Sequence, residues 1–510
     1  MELLKENLEI TETKIKEKET TYSDSDVIVP DVKPDILKIL QVDAVSSITS
    51  KEVRDSHIKV SGMLKYNILY IPENDTCPIK SITSEATFSH SFDKKTIPEN
   101  ALFDVVSDIE RVEFTMLNSR KLNIKTAVVL NYTVFENKSV NIVSGTDNEN
   151  TEAIYENIST SKLNTFEETS FTMRDRFELS AEKLPAAELL KLDITISDSE
   201  VKAITGKAVI KGNFNLCALY TDTDGAVNSI EGVFPFTEIA EIFELEEDTP
   251  CSVEYRLGDY EYALCADSDG DMRIIDFDIT ACAVIRSRST NQVKIMKDCF
   301  CPGCHTDMVY DTLAFDNIIA ADKNQYTVTE VIAPDKKLPQ IASVYNIVAR
   351  PSITKTTVEN GKLFIEGTLD VYVLYISDNP QIPVYSFKKD IPLQFALDIP
   401  DASSDLSAAV DISCDHTGFN LNMANEVELK CTLTISYRLF EKKEINIISD
   451  CTICESSKES GIVIYFVQPG DTLWQIAKRY SVSVSELVEQ NNIKDENSIN
   501  VGQKLIIPFC

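Results

Sequence analysis

A short segment that occurs three times constrains the fold of this chain more than any other feature. The copies cover residues 58–70, 208–220 and 363–375, and in each a Gly (Gly62, Gly212, Gly367) is followed eight positions later by a Tyr. Side chains that lie an even number of positions from the Gly, and so share its parity, are mostly apolar: Val60, Leu64, Ile68, Ile210, Phe214, Leu216, Ile365, Leu369 and Val371. This period-two alternation predicts a β-strand with one buried face. The Gly predicts a bulge or a close approach of another backbone.

Two further features accompany each copy. A Pro followed by apolar residues precedes the Gly, at Pro34, Pro185 and Pro339, and predicts a short helical turn, since the first helical position needs no N–H group. A second alternating run follows the Gly: Leu122, Ile124, Val128, Leu130, Tyr132 and Val134; Ile275, Phe277, Ile279 and Ala281; Val427, Leu429, Cys431, Leu433, Ile435 and Tyr437. In the second copy the apolar residues of this run lie at odd distances from the Gly, whereas in the other two copies they lie at even distances. This difference predicts an insertion or bulge specific to the second copy.

The spacing of the copies indicates whole duplicated domains. The Gly residues lie 150 and 155 positions apart, whereas solenoid repeats recur every roughly 20–50 residues. We predict a multidomain, mainly β protein with three duplicated β-rich, sandwich-like domains followed by a small βααβ module. The expected boundaries are a polar N-terminal segment at 1–25, domains at 26–140, 170–292 and 326–445, polar linkers at 141–169, 293–325 (with cysteines) and 446–461, and the module at 462–510.

Local signals in the last fifty residues predict the order strand, helix, helix, strand. Thr472 with Gln475, and Ser483 with Glu486, form two capping boxes that begin short helices. The first helix carries one apolar stripe, and Asn491–Asn492 ends the second. The stripe consists of Leu473, Ile476, Ala477 and Tyr480. Strands are expected at Ile464–Val467 and Lys504–Pro508.

The opening of this module, Tyr465 to Trp474, and its ending, Gly502 to Leu505, resemble the LysM module. LysM modules typically bind N-acetylglucosamine polymers in a shallow groove, and in cytoplasmic coat proteins they can instead bind proteins. The resemblance implies a groove lined by Gly470, Asp471, Thr472, Leu473, Asn492, Ile493, Ile499 and Asn500. Val501 stands where the family commonly has Pro. Trp474 is the only Trp; it could stack on a sugar, but we expect it to pack beside the core of the module.

The phrase Ile28 to Ile36 and the thrice-repeated strand resemble the SPOCS domain of spore-forming bacteria. Three such domains before a LysM module resemble the LysM-containing spore coat morphogenetic proteins. The resemblance implies a coat assembly adaptor in the mother-cell cytoplasm, at the forespore surface and in the spore coat. Its LysM module would bind the basement-layer ATPase, stage IV sporulation protein A, and its body would recruit other coat proteins. The alternative is a peptidoglycan-binding protein anchored to the spore cortex or cell wall, including an accessory to a cell-wall hydrolase.

Charge and composition exclude several other classes. The formal net charge of −33 argues against nucleic acid and against anionic lipid, both of which attract basic surfaces. The N-terminus lacks the apolar core of a signal peptide, and no segment approaches the ~18 apolar residues of a membrane span. We therefore expect a cytoplasmic protein. No catalytic motif is present, so we expect no enzyme, no catalytic residues and no cofactor.

The cysteines leave several interpretations open. Cys301-x-x-Cys304-His305 matches the pattern for haem attachment, which requires export, and we do not expect it. Cys301, Cys304, Cys451 and Cys454 are candidate zinc ligands, although their spacing is far from that of ordinary zinc sites and we predict no metal. A redox or crosslinking role, including Cys510 at the terminus, is a further alternative. The remaining interpretation is that the cysteines are ordinary thiols of the linkers and cores.

Overall fold

The computed structural model of the protein describes residues 2–54, 57–75, 77–93, 101–243, 245–377, 384–400, 406–455, 461–495 and 499–509. Strand accounts for 78% of the structure, and the described residues contain only two short helices. The prediction of a mainly β multidomain chain with a terminal βααβ module is therefore confirmed.

The first repeated unit is a sandwich of two antiparallel three-stranded sheets, ordered β1-β6-β5 and β2-β3-β4. Apolar side chains of both sheets, including Ile58, Leu64 and Leu130, form one buried core. Tyr66 and Thr126 join the sheets by a hydroxyl hydrogen bond of 2.8 Å. The strands are β1 Leu3–Ile28, β2 Ile36–Arg54, β3 His57–Pro72, β4 Lys80–Asp93, β5 Leu102–Asn118 and β6 Lys121–Thr146.

The second and third units repeat this arrangement, with sheet orders β11-β12-β7 and β10-β9-β8, then β13-β18-β17 and β14-β15-β16. The second unit contains β7 Glu152–Glu178, β8 Ala186–Ile204, β9 Lys207–Asp222, β10 Val227–Glu241, β11 Cys251–Ala266 and β12 Met272–Phe300. The third contains β13 Cys304–Ile332, β14 Ile341–Glu359, β15 Lys362–Ser377, β16 Val384–Asp398, β17 Ser407–Leu421 and β18 Val427–Glu455.

The thrice-repeated segment forms the central strands β3, β9 and β15, and its Gly-parity apolar side chains are buried as predicted. Each Gly faces a backbone oxygen of the neighbouring strand. A Cβ atom would lie 2.5 Å from the oxygen of Ser47 at Gly62, 2.6 Å from that of Ser197 at Gly212, and 2.2 Å from that of Ser352 at Gly367. Register shifts interrupt the neighbouring strand beside each of these contacts. Both predicted features, the bulge and the close approach, are present together.

The helical turns predicted at Pro34, Pro185 and Pro339 are wrong, because these residues lie in non-helical connections between strands. The carbonyl of Pro34 instead accepts a hydrogen bond from the Tyr70 hydroxyl at 3.1 Å, and the third unit repeats this bond from Tyr375 to Pro339 at 3.0 Å. The parity change of the second copy is seen in β12, where Ile275, Phe277 and Ile279 are buried. The length of the preceding loop does not explain it, because the β11–β12 loop at 267–271 and the β17–β18 loop at 422–426 of the third copy have the same length.

The segments 1–25, 141–169, 293–325 and 446–461 were predicted as polar terminus and linkers, but most of their residues belong to long strands. The domain boundaries drawn from them remain a prediction. These strands form three two-stranded ribbons, β1–β6, β7–β12 and β13–β18. A narrow ribbon exposes most of its side chains, which explains why the sequence there is polar.

The outer parts of the three ribbons pack on one another and form a stalk, residues 3–13, 135–146, 152–163, 288–300, 304–316 and 442–455. Its buried core takes apolar residues from every ribbon: Leu8, Ile10, Ile142, Ile158, Ile295, Leu313, Phe315 and Ile447. From Val134 to Thr146 the ribbon extends about 40 Å at roughly 3.3 Å per residue. The stalk tip, where residues 147–151 and 301–303 connect the ribbons, is therefore distant from the sandwich cores.

The sandwiches also meet one another in a hub formed by β2, β3, β8, β9, β14 and β15. Leu40, Leu190 and Leu374 belong to one apolar cluster there. Beside it, the buried Lys191 ammonium lies 2.5 Å from an Asp43 oxygen and 2.7 Å from an Asp193 oxygen. The hub and the stalk together join the three units into one body.

Candidate binding groove and its attachment to the stalk

The C-terminal module consists of β19 Gly461–Phe466, α1 Leu473–Tyr480, α2 Val484–Asn491 and β20 Lys504–Phe509. The two strands pair antiparallel, and both predicted capping boxes are formed. The core of the module contains Leu473, Ile476, Ala477, Leu487, Leu505 and Ile507. Leu473 is only 2% exposed, so its contribution to the predicted groove is to the packing beneath the surface.

The first groove loop is fixed by short-range hydrogen bonds. Gly470 adopts a left-handed conformation with φ of +88°. The Asp471 carboxylate accepts from the Tyr465 hydroxyl at 2.5 Å and from the Gln468 N–H at 2.8 Å. The Tyr465 bond is the main reason that the pKa of Asp471 lies below its usual value. Thr472 then caps α1 by accepting from the Gln475 N–H at 3.2 Å.

The second groove loop begins at Asn492, which ends α2 in a left-handed conformation. The Asn500 N–H donates to the Gln503 side chain at 2.9 Å. Two backbone bonds connect the loops, from Gly502 N–H to the Val467 carbonyl at 2.8 Å and from Val467 N–H to the Gln503 carbonyl at 3.0 Å. The loops predicted to line a groove are thus adjacent.

The exposure of the predicted groove residues determines which chemical groups a ligand can contact. Gly470, Thr472, Asn492 and Asn500 are exposed, and Asp471, Ile493 and Ile499 are half-buried. The exposed groups are mainly a hydroxyl, two amides and backbone, and the two Ile side chains lie between them and the core. Such a surface suits a ligand that has both hydrogen-bonding groups and a small apolar face, such as an acetamido sugar or a peptide segment.

Trp474 packs, as predicted, but its principal partners come from the stalk. Its Nε1–H donates to Asp298 at 2.8 Å, and its ring meets the Phe300 ring edge-on with centroids 5.0 Å apart. Phe300 is buried within the core cluster of the LysM-like module. Sequence reasoning missed Asp298 and Phe300, although a large aromatic residue in an apparently polar linker was a signal of burial.

Three further contacts attach the module to the stalk tip. Lys478 pairs with Asp298, and the Gly303 N–H donates to the Ser481 carbonyl at 2.7 Å. The Val484 N–H donates to the Glu152 carboxylate at 2.9 Å. All of these partners belong to α1, its end or the first residue of α2. In the described part of the chain, none of the eight predicted groove residues makes one of these contacts with the stalk tip.

The environment of Asp298 shows how firmly this attachment is built. Burial alone would raise the pKa of Asp298, but hydrogen bonds from Lys478 and Trp474 outweigh it and hold that pKa below its usual range. The Tyr310 hydroxyl also donates to this carboxylate at 3.0 Å. A charged carboxylate with three donors is a strong anchor for the module.

The candidate zinc ligands Cys301 and Cys304 lie at the turn between β12 and β13, whereas Cys451 pairs with Met308 and Cys454 with His305 across the β13–β18 ribbon. The Cys301 thiol donates to the Pro302 carbonyl at 3.7 Å and accepts from the Asn148 amide at 3.5 Å. Burial raises the pKa of Cys301. Among the described residues, no group of three His, Cys, Asp or Glu is arranged to hold a metal ion. The Cys454 side chain and Cys510 lie outside the described part.

Fold and groove together define a multidomain binding protein, with three copies of one β-sandwich domain and a LysM module at the stalk tip. The family described as SipL, SPOCS domain, matches residues 35–117, 185–264 and 340–422, and the LysM domain family matches residues 465–508. The chain is a SipL-like sporulation protein with three SPOCS domains and a C-terminal LysM domain. Both kinds of domain are non-catalytic binding domains.

Individual relatives resemble short stretches of the chain. The N-acetylmuramoyl-L-alanine amidase XlyA of Bacillus subtilis is 51% identical over 47 residues, 9% of this chain and 16% of the amidase. A probable N-acetylmuramidase of Lactococcus lactis is 46% identical over 43 residues, 8% of this chain and 10% of that protein. Intracellular hyphae protein 1 of Colletotrichum lindemuthianum is 34% identical over 94 residues, 18% of this chain and 41% of that protein. The likeness to the hydrolases is to their LysM regions.

No solved structure matches the chain significantly. In the part of the chain that the structure describes, neither helix is long and apolar enough to cross a membrane.

Proposed function

We propose that the protein is a non-enzymatic adaptor of spore coat assembly. Its LysM domain binds the basement-layer ATPase, stage IV sporulation protein A, and its three SPOCS domains recruit other coat proteins. It acts in the mother-cell cytoplasm at the forespore surface and becomes part of the coat. It uses no cofactor and binds no nucleic acid.

The observation that carries this proposal is the position of the LysM domain. The domain lies at the tip of a stalk, and the SPOCS sandwiches lie at the other end. A ligand in the groove lined by residues 470–473, 492–493 and 499–500 would therefore be held away from partners of the sandwiches. A bridging protein needs this separation, because two large partners cannot occupy the same place.

The way in which the three SPOCS domains are joined also supports an adaptor. The stalk core and the hub take residues from all three domains, so their outer surfaces have fixed relative positions. Partners bound to one body have a high effective concentration for one another. The net charge of −33 keeps such a body soluble and favours partners with basic surfaces.

The experiment compares the full chain with a groove variant that carries Asn492→Gly and Asn500→Ala. Gly tolerates the left-handed conformation of Asn492, so both amides are removed with little change of the backbone. Gln490→Ala, an exposed change on α2, is the matched control. We expect the wild type and the control to bind the purified ATPase and the groove variant to lose about tenfold in affinity, or about 1.4 kcal/mol.

A second candidate function is anchoring to peptidoglycan of the spore cortex or cell wall. It is favoured by the exposed Thr472, Asn492 and Asn500 and by the likeness to the LysM regions of wall hydrolases. The same three proteins are tested for pelleting with purified peptidoglycan. If the groove variant loses peptidoglycan but binds the ATPase as well as the wild type does, the groove is a glycan site and the adaptor proposal is wrong about the LysM domain.

A further inference from the structure

We propose that Cys301 and Cys304 form a reversible dithiol–disulfide site at the stalk tip, and that its disulfide form holds the LysM domain more firmly in place. This site is independent of what the groove binds, so the inference goes beyond the proposed function. It rests on the geometry of one turn and on the contact that this turn makes with the LysM domain.

Residues 301–304 form a tight turn that brings the backbones of the two cysteines close together. The Cys304 N–H donates to the Cys301 carbonyl at 3.2 Å, and Gly303 has a φ of +77°. Pro at the second position and a left-handed Gly at the third are the requirements of a type II turn. The Cα atoms at the ends of such a turn lie less than ~7 Å apart, within reach of the ~4.4–6.8 Å that a disulfide requires. Because Pro302 fixes the backbone, little freedom is lost when the bond forms.

The two thiols differ in access, which gives them different roles. Cys301 is 5% exposed, and the Asn148 side-chain amide donates to its sulfur at 3.5 Å. Cys304 is half-buried and therefore more exposed than Cys301. An oxidant in solution therefore reaches Cys304 first, and Cys301 is the neighbouring thiol that completes the disulfide.

The turn is part of the attachment of the LysM domain. The Gly303 N–H, at the centre of the turn, donates to the Ser481 carbonyl at the end of α1 at 2.7 Å. Asp298 and Phe300, which hold Trp474, immediately precede the turn in the chain. A disulfide from Cys301 to Cys304 would restrict the turn to conformations that keep the Gly303 N–H directed at Ser481. Oxidation should therefore make opening of this contact less frequent.

The oxidant we assign is a small-molecule disulfide such as glutathione disulfide. The Cys304 thiolate attacks one sulfur, a mixed disulfide forms, and one glutathione leaves and takes up the proton that Cys304 released. The Cys301 thiolate then attacks the Cys304 sulfur and releases the second glutathione, which is protonated in the same way. Two protein thiols have lost two electrons and two protons, and one glutathione disulfide has become two glutathione thiols.

The test treats the full chain with glutathione disulfide and maps the cysteine peptides by mass spectrometry. We expect the peptide with residues 301–304 to lose two hydrogen atoms, to carry no glutathione, and to recover both hydrogens after reduction. Acrylamide quenching of Trp474 fluorescence, which reports only on this site because the chain has one Trp, should be weaker in the oxidised protein than in the reduced protein. Cys304→Ser should abolish both effects, whereas Cys77→Ser, a half-buried thiol of the first domain, should preserve both.

Several outcomes would overturn the proposal. A stable glutathione adduct on Cys304 beside a free Cys301 thiol would show that the turn does not close. Unreacted thiols at both positions, when Cys77 has taken up glutathione in the same sample, would show that Cys304 is not accessible. A disulfide that forms without any change in Trp474 quenching would refute the coupling to the LysM domain.

Discussion

Three glycines, one in each SPOCS domain, lie where the central strand passes closest to its neighbour. At Gly62 an added Cβ atom would lie 2.2 Å from a ring carbon of Phe88 and 2.5 Å from the carbonyl oxygen of Ser47. The same position in the other domains faces Ser197 and Ser352. Close packing leaves no room for another carbon there, which is the physical reason that one residue type occupies all three positions.

Replacing Gly62 with Ala should therefore destabilise the first sandwich. We expect a loss of about 1–3 kcal/mol in the free energy of unfolding, because the backbone at Ser47 must move. Chemical denaturation followed by circular dichroism measures this loss. Gly145→Ala is the matched control, since its nearest neighbour, a Leu4 side-chain atom, would lie at 3.5 Å, an ordinary contact. Equal stability of the two variants would contradict the steric explanation.

A single carboxylate, Asp298, connects the stalk to α1. Asp298→Ala removes the partners of Trp474 and Lys478, and a hydrogen bond to a charged group contributes about 1.5–3 kcal/mol. We expect the Trp474 emission to shift to longer wavelength and acrylamide quenching to increase, since the indole becomes more exposed. Asp307→Ala, an exposed acid of the same hairpin, should leave both unchanged.

The same carboxylate gives the attachment a pH dependence. Because the pKa of Asp298 is lowered from its ordinary value of 3.8, its contribution is complete above that value and is lost as the pH falls through the lowered pKa. Wild-type emission should therefore shift only in strong acid, and Asp298→Ala should lack this transition. A shift of the same size in both proteins would show that the titration of another group causes the change in emission.

At the scale of the elements, the sequence predicted the LysM domain well and the stalk poorly. The capping boxes at Thr472 and Ser483 and the apolar stripe of α1 are local signals, and the helices follow them. The strands of the sandwich cores were also readable, since one face is buried and alternation is strong. The stalk ribbons expose most of their side chains, and their few inward residues, such as Ile10 and Phe315, find partners only in other domains. The attachment through Asp298 and Glu152 joins residues far apart in sequence and had no local signal.

Within the LysM domain, α1 depends on Leu473, which is 2% exposed in the core. Leu473→Ala should cost about 2–5 kcal/mol through lost burial and the remaining cavity. The domain is small, so this is a large fraction of its stability, and the LysM transition should separate from that of the sandwiches. Trp474 fluorescence follows the LysM domain and its attachment to the stalk, and circular dichroism follows the whole protein. Val501→Ala, at an exposed position, should have little effect; a similar loss in both variants would contradict the assignment of Leu473 to the core.

At the scale of the whole molecule, duplication produced three similar domains but not three identical contacts. The hub uses Lys191 from the second domain, Asp43 from the first and Arg350 from the third, with Arg350 3.3 Å from Asp43. The positions of the other domains that correspond to Lys191 hold Gln41 and Asn346. The Lys191 ammonium therefore occurs in one copy only, and no comparison of the repeats by pattern could reveal its role.

Lys191 is 4% exposed. Burial alone would lower its pKa, but Asp193 and Asp43 outweigh burial and raise it, and the pKa of Asp43 is lowered in turn. Lys191→Met would leave the buried Asp43 carboxylate and the half-buried Asp193 carboxylate without their principal partner. Removing one member of a buried ion pair typically costs about 3–5 kcal/mol, and we expect that loss in thermal or chemical unfolding. The exposed pair of Lys211 with Glu200 offers a matched control, since solvent screens it and Lys211→Met should change the stability little.

A second change distinguishes a loss of stability caused by unpaired charges from a loss caused by poorer packing of the hub. Adding Asp43→Asn and Asp193→Asn to Lys191→Met removes the unpaired charges, and a neutral buried cluster can be as stable as an ionic one. We therefore expect the triple variant to recover most of the stability that Lys191→Met loses. If the triple variant is no more stable than the single one, the Lys191 side chain supports the hub through its packing, and the three domains are held together by the apolar cluster rather than by charge.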